Sequence, residues 1–196
     1  MTQKQLIEQI AGHYPETAEP EIREMLNQVA DDFAEETGIL AANMTLTPAQ
    51  ALSYDLGDRV PRVRHVTIDG QVIAAAKPYK EGVAFWRVVG GDTLEVGRYY
   101  HDGLEKVDGT DVEVTYIALP TKFTSSNLDT ESDIPTRFQL ALSMRVMERL
   151  ELFRDEPNTG KTRALFAQYS DLKRKAVRAA NAGGEAGPIR PQLPVI

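Results

Sequence analysis

Residues 112–150 read VEVTYIALPTKFTSSNLDTESDIPTRFQLALSMRVMERL, and within this stretch the period of the apolar residues changes. Before Pro120 it is two. Val112, Val114 and Tyr116 alternate with Glu113 and Thr115, as in a half-buried strand. After Pro135 it is helical. Phe138, Leu142, Val146 and Leu150 form one stripe, and Leu140, Met144 and Met147 a second. A helix with two apolar faces packs on two sides, so this one is expected to be central. The run IPTRFQLALSMRVMERLELF (134–153) would extend about 30 Å as a helix. Ser132 or Asp133 stands where a cap is needed, with Pro135 in the first turn.

Working outward, the strand signal reaches back to about Met44. Its segments are Met44–Thr47, Ala51–Leu56, Val63–Ile68, Gln71–Ala76, Val83–Val89, Thr93–Tyr100 and Asp111–Leu119. Asp69-Gly70 and Gly90-Gly91-Asp92 are hairpin signals, because primed turns need positive φ. The reading is a small antiparallel sheet or sandwich of five to seven strands. Upstream lie two helices. Thr2 can cap the first, which carries Leu6, Ile7 and Ile10 and stops at Gly12. Pro20 opens the second, where Ile22, Met25, Leu26, Val29, Ala30 and Phe33 recur at three- and four-residue spacing up to Gly38. Downstream, Asn158 or Thr159 can cap a last helix with the stripe Leu165, Tyr169, Leu172, Ala176 and Ala179. The tail AGGEAGPIRPQLPVI has three spaced prolines and can be neither a helix nor a central strand. It predicts an extended arm of polyproline type.

The fold class that follows is α+β. It is a helical bundle of two N-terminal and two C-terminal helices, with an inserted antiparallel β domain and an extended C-terminal arm. The expected boundaries are 1–40 and 132–181 for the helical body, 41–120 for the β insertion, 121–131 for a loop and 182–196 for the arm.

The chain has 196 residues and no cysteine. That excludes disulfides, thiolate metal sites, iron–sulfur clusters and a cysteine nucleophile. No apolar run approaches the ~20 residues that span a bilayer, and MTQKQLIEQI lacks the pattern of a signal peptide. The net charge is −7, which opposes global attraction to nucleic acid or anionic lipid. The charge is uneven: −8 over residues 1–60, −4 over 61–160 and +5 over 161–196. An acidic front and a basic back either neutralise each other inside one fold or meet between neighbouring subunits, as in heterologous rings. Pairing within one fold is the favoured reading.

Chemical motifs are sparse. Asn158-Thr159-Gly160-Lys161-Thr162 imitates a phosphate loop, but position 155 is Asp instead of Gly and a helix precedes it. His13, His65 and His101 share no ligand spacing. Gly90-Gly91-Asp92 lacks the further oxygens a Ca²⁺ loop needs. Asp31, Asp32, Glu35 and Glu36 form the densest acidic cluster, which a solvated helix face explains. No serine sits in a nucleophile elbow. The basic run Lys173, Arg174, Lys175 and Arg178 would track phosphates only weakly, with Tyr169 the one interleaved aromatic.

The order of parts is a short helix, the amphipathic helix EIREMLNQVADDFAEETG, a β insertion ending in EVTYIALP, the helix start ESDIPTRFQLALSMRVMERL, the helix RALFAQYSDLKRKAVRAAN and a loose tail. This order resembles the head-to-tail adaptor (connector) proteins of tailed bacteriophages, especially those of short-tailed phages. The resemblance spans nearly the whole chain and rests on arrangement more than on a motif. It implies a virion structural protein at the head–tail junction, assembled in the host cytoplasm. It further implies a ring, commonly of twelve subunits, beneath the portal protein and around the DNA channel, with no cofactor and no membrane. The β part would face the next tail component, a nozzle or tail-tube protein. The arm would climb onto the portal through Ile189, Arg190, Pro191, Leu193, Pro194, Val195 and Ile196. Lys173, Arg174, Lys175 and Arg178 would face either a neighbouring subunit or the channel. Two other classes stay open: a virion-associated peptidoglycan hydrolase, and a small DNA-binding module using the last helix.

Overall fold

Helix α1 (Gln3–Ala11) begins on a reciprocal cap. Thr2 Oγ1 accepts from the Gln5 backbone N–H at 3.3 Å, while Gln5 Oε1 accepts from the Thr2 N–H at 2.9 Å. The computed structural model containing it describes residues 1–46, 52–57, 60, 62–75, 81–105 and 112–182. Helix α2 (Glu19–Thr37) has Pro20 in its first turn, where a missing N–H is harmless. It ends at Gly38, whose φ of 64° lets its N–H return to the Ala34 carbonyl at 2.8 Å. Helix α4 (Thr159–Asn181) starts on Asn158, whose Oδ1 accepts from the Lys161 N–H at 3.0 Å.

Helix α3 (Thr136–Leu152) departs from expectation at its start. Its cap is Pro135, with no side-chain bond. Ser132 Oγ instead accepts from Ile134 N–H at 3.2 Å, and Asp133 Oδ2 from Thr121 N–H at 2.6 Å. Both side chains hold the incoming loop and are not free to cap the helix.

The described residues divide into two compact units, Met1–Leu40 with the chain from Leu119 on, and Ala41–Ala118. In the first, α3 packs against α1, α2 and α4, most extensively against α4, and α2 likewise touches the other three helices. Phe33 of α2 lies between Phe138 of α3 and Tyr169 of α4, with ring centroids 6.4 and 6.3 Å away. The stripe Phe138, Leu142, Val146 and Leu150 is buried as expected. The second stripe is buried only at Met147: Leu140 is exposed and Met144 half-buried. Buried positions beside it go to Gln139 and Ser143, which have fixed partners. Gln139 Nε2 donates to the Ile134 carbonyl at 2.8 Å, and Ser143 Oγ to Gln9 Oε1 at 3.2 Å. The connection before α3 is tied down at both ends. Asn27 both donates to the Phe123 carbonyl (3.1 Å) and accepts from its N–H (2.7 Å). Gln3 and Lys4 donate backbone N–H groups to the Thr130 and Leu128 carbonyls.

Among its described residues the second unit holds eight strands: β1 (Ala41–Leu46), β2 (Ser53–Asp55), β3 (Arg62–Ile68), β4 (Gln71–Ala75), β5 (Ala84–Val89), β6 (Thr93–Tyr100), β7 (Gly103–Glu105) and β8 (Val112–Ile117). Their order is β1-β8-β3-β4-β5-β6-β2, with β7 also on β6. Both hairpin signals are in place. Asp69 and Gly70 have φ of 51° and 74° between paired Ile68 and Gln71, and Gly90-Gly91-Asp92 joins paired Val89 and Thr93. One side of the sheet buries Val63, Val66, Ile68, Leu94, Val96, Val112, Val114 and Tyr116, with Trp86 and Ile73 against them.

The expected antiparallel sheet is in fact mixed. β4 and β5 run parallel, meeting among the described residues at Ala74↔Phe85 and Ala75↔Trp86. A two-residue turn forces its strands antiparallel, but β4 ends at Ala75 and β5 begins at Ala84, too far apart in sequence for such a turn to set their orientation. β7 is an additional strand whose three residues are too few to carry a readable period. The arm, from residue 183 on, lies outside the described residues.

Candidate functional site

Of the residues expected to meet partners, Ile189, Arg190, Pro191, Leu193, Pro194, Val195 and Ile196 lie outside the described residues. The other four are on α4, and they separate. Lys173 turns inward, its Nζ 2.5 Å from Glu36 Oε2 on α2. Arg174 and Lys175 are largely exposed, and their ion-pair partner is Asp171 on the same helix, at 3.7 and 2.7 Å. Lys175 lowers the Asp171 pKa from its usual range. Arg178 is exposed as well. Lys173 is therefore a structural tie, and Arg174, Lys175 and Arg178 are an outward ridge.

The acidic cluster of α2 is largely neutralised inside its own unit. Asp31 binds Lys122, Asp32 accepts from Arg149 at 2.8 Å, and Glu36 binds Lys173. Tyr169 reaches the same Glu36 at 3.4 Å. Burial, reinforced by the Glu36 charge, pushes the Tyr169 hydroxyl up to about 12. Glu21 and Glu35 lie on the same outward side of α2 as Asp32 and stay exposed.

The apparent phosphate loop has a different purpose. Asn158 caps α4, and Lys161 Nζ lies 3.0 Å from Glu151 Oε2 and 4.4 Å from the centre of the Tyr14 ring. Glu151, at the end of α3, is buried. It accepts from Tyr14 Oη at 2.7 Å and from the Asn158 N–H at 3.1 Å. Those bonds, Tyr14 first and Lys161 second, lower its pKa to about 2. Burial raises the Tyr14 hydroxyl, and contact with Tyr14 and then Glu151 raises Lys161. The group locks the α1–α2 connection, the end of α3 and the start of α4 together. The sequence signalled the cap but not the lock, because Glu151 stands 137 residues from Tyr14.

His13, His65 and His101 are exposed, and His101 contacts its neighbour Asp102 at 3.4 Å. Among the described residues, no group of three or more His, Cys, Asp or Glu is placed to hold a metal ion. Asp92 of the Gly-Gly-Asp turn accepts from the Thr93 hydroxyl at 3.0 Å, as a hairpin residue does. No helix is long and apolar enough to cross a membrane among the described residues.

The class of this protein is that of a structural adaptor. The chain belongs to the SU10 adaptor protein family, whose family model matches residues 1–192. It is thus a phage structural adaptor and a virion component that associates with other phage structural proteins, in a family of structural proteins and not of enzymes. No curated protein matches the chain.

Proposed function

We propose that this adaptor forms a ring at the head–tail junction of a short-tailed phage. In this reading it docks under the portal protein, links it to a nozzle or tail-tube protein, and surrounds the channel through which DNA leaves the head. Twelve copies fit the commonest ring of such adaptors, assembled in the host cytoplasm. The observation that carries the reading is the family match over residues 1–192, which takes in the helices, the β unit and most of the proline-rich tail.

The tail supplies the physical argument for docking. Ordering a free chain costs about 1–2 kcal/mol per residue of backbone entropy. Pro188, Pro191 and Pro194 reduce that cost by restricting the free state. Leu193, Val195 and Ile196 are apolar anchors, and Arg190 is a polar contact. One tail binds weakly, whereas a ring presents many at once, and joint engagement raises the effective affinity. DNA passes without sequence-specific contact, in keeping with a net charge of −7.

The test is deletion of residues 183–196. The truncated chain should keep its thermal unfolding transition and lose co-assembly with purified portal, measured by sedimentation. A truncated chain that still joins the portal would sink the assignment of the tail.

A further inference from the structure

We infer that neighbouring copies in the proposed ring, on which this inference rests, meet through the outer face of α4 on one copy and the outer face of α2 on the next. The outer face of α2 carries Glu21, Glu24, Gln28, Asp32 and Glu35 at three- and four-residue spacing, all exposed. Among the described residues, Glu21 and Glu35 have no ion-pair partner, and Glu24 meets only the neutral Gln28 amide at 3.1 Å. The outer face of α4 carries Arg163, Arg174, Lys175 and Arg178, with Ala164 and Ala167 between them, again exposed. At the helical rise, Glu21 to Glu35 covers about 21 Å and Arg163 to Arg178 about 22 Å. The two ridges match in length and oppose in sign.

They cannot neutralise each other within one copy. The contact between α2 and α4 uses other sides of both helices, through Glu36 with Lys173 and Phe33 with Tyr169. What remains is one acidic and one basic ridge on different outward faces of the same unit. Unlike surfaces that complement each other make a heterologous contact, and repetition of that contact closes a ring. The alanines allow close approach of the two helices, and the charges set register and orientation. Duplex DNA is the poorer occupant of the α4 ridge. Asp171 sits inside the ridge and already engages Lys175 and Arg174, and Lys173 is turned away to Glu36.

The experiment uses full-length chains in sedimentation at low and moderate salt, with duplex DNA binding measured in parallel. The wild-type chain should self-associate, more weakly as salt rises. An R174E/K175E/R178E chain and an E21K/E24K/E35K chain should each associate about tenfold more weakly or worse. An equimolar mixture of the two should regain the wild-type association, since each reversed ridge then faces a reversed partner; recovery also shows that both variants are folded. Variants that associate like the wild type overturn the inference and leave the ring reading standing. A wild-type chain that stays monomeric at every concentration overturns the inference, and co-assembly with portal then decides the ring reading separately. If reversal on α4 abolishes DNA binding and leaves self-association unchanged, the ridge belongs to nucleic acid and the inference fails.

Discussion

The two units solve the same problem with different materials. In the helical unit, Gln3, Thr37, Gln139, Ser143, Glu148 and Glu151 are all buried. Among the described residues of the β unit, every buried side chain in the core is apolar or Tyr116; both units also expose apolar side chains, Val72 (70%) in this one and Phe153 (78%) in the helical one. Buried polar groups are tolerated only when their partners are in place, so they admit few alternative packings. An apolar sheet face accepts more. The helical unit is specified by its bonds, and the β unit by its alternation and its turns.

Four measurements break or sharpen that contrast. Phe33→Ala removes the ring shared by α3 and α4 and should destabilise the helical unit by about 3–5 kcal/mol in denaturant titration. A loss under ~1 kcal/mol would mean that the three helices are held mainly by their polar ties. Glu151→Gln should cost about 1–3 kcal/mol through weakened buried bonds to Tyr14 and Lys161. It also carries a pH signature. The folded-state pKa of about 2 lies below the ordinary 4.5, so the stabilisation is complete above about 4.5 and disappears as pH falls towards about 2. The midpoint of thermal unfolding should drop across that window in the wild type, and less steeply in the variant. Asn158→Ala should cost about 1 kcal/mol by uncapping α4, visible as a loss of helical circular dichroism on mild heating. Val72→Thr should change stability by less than about 0.5 kcal/mol. A larger loss would show that the outer face of β4 is covered by something the isolated β unit does not reveal.

What could be read from the sequence follows the same division between local and distant causes. The Thr2 cap, Pro20, Gly38, Asn158 and the Asp69-Gly70 turn are each decided within four residues, and each stands where the local chemistry puts it. The parallel meeting of β4 and β5 was not legible, because they stand too far apart in sequence for a tight turn to set their orientation, and pairing depends on the whole sheet. Ser132 and Asp133 have good capping chemistry but are taken by the loop they stand in. The lock around Glu151 and the inward turn of Lys173 join residues more than 130 positions apart. As plain text, an ion pair of that kind looks no different from a solvated charge.

The β unit leaves the helical chain at Ala41 and rejoins it just after Ile117, and these two residues are direct partners on adjacent strands. Its doorway is therefore only about 5 Å wide. A module with such a narrow doorway can be exchanged, lengthened or replaced by a short bridge while its host keeps its shape, which leaves one half of the molecule free to diverge with whatever it must fit.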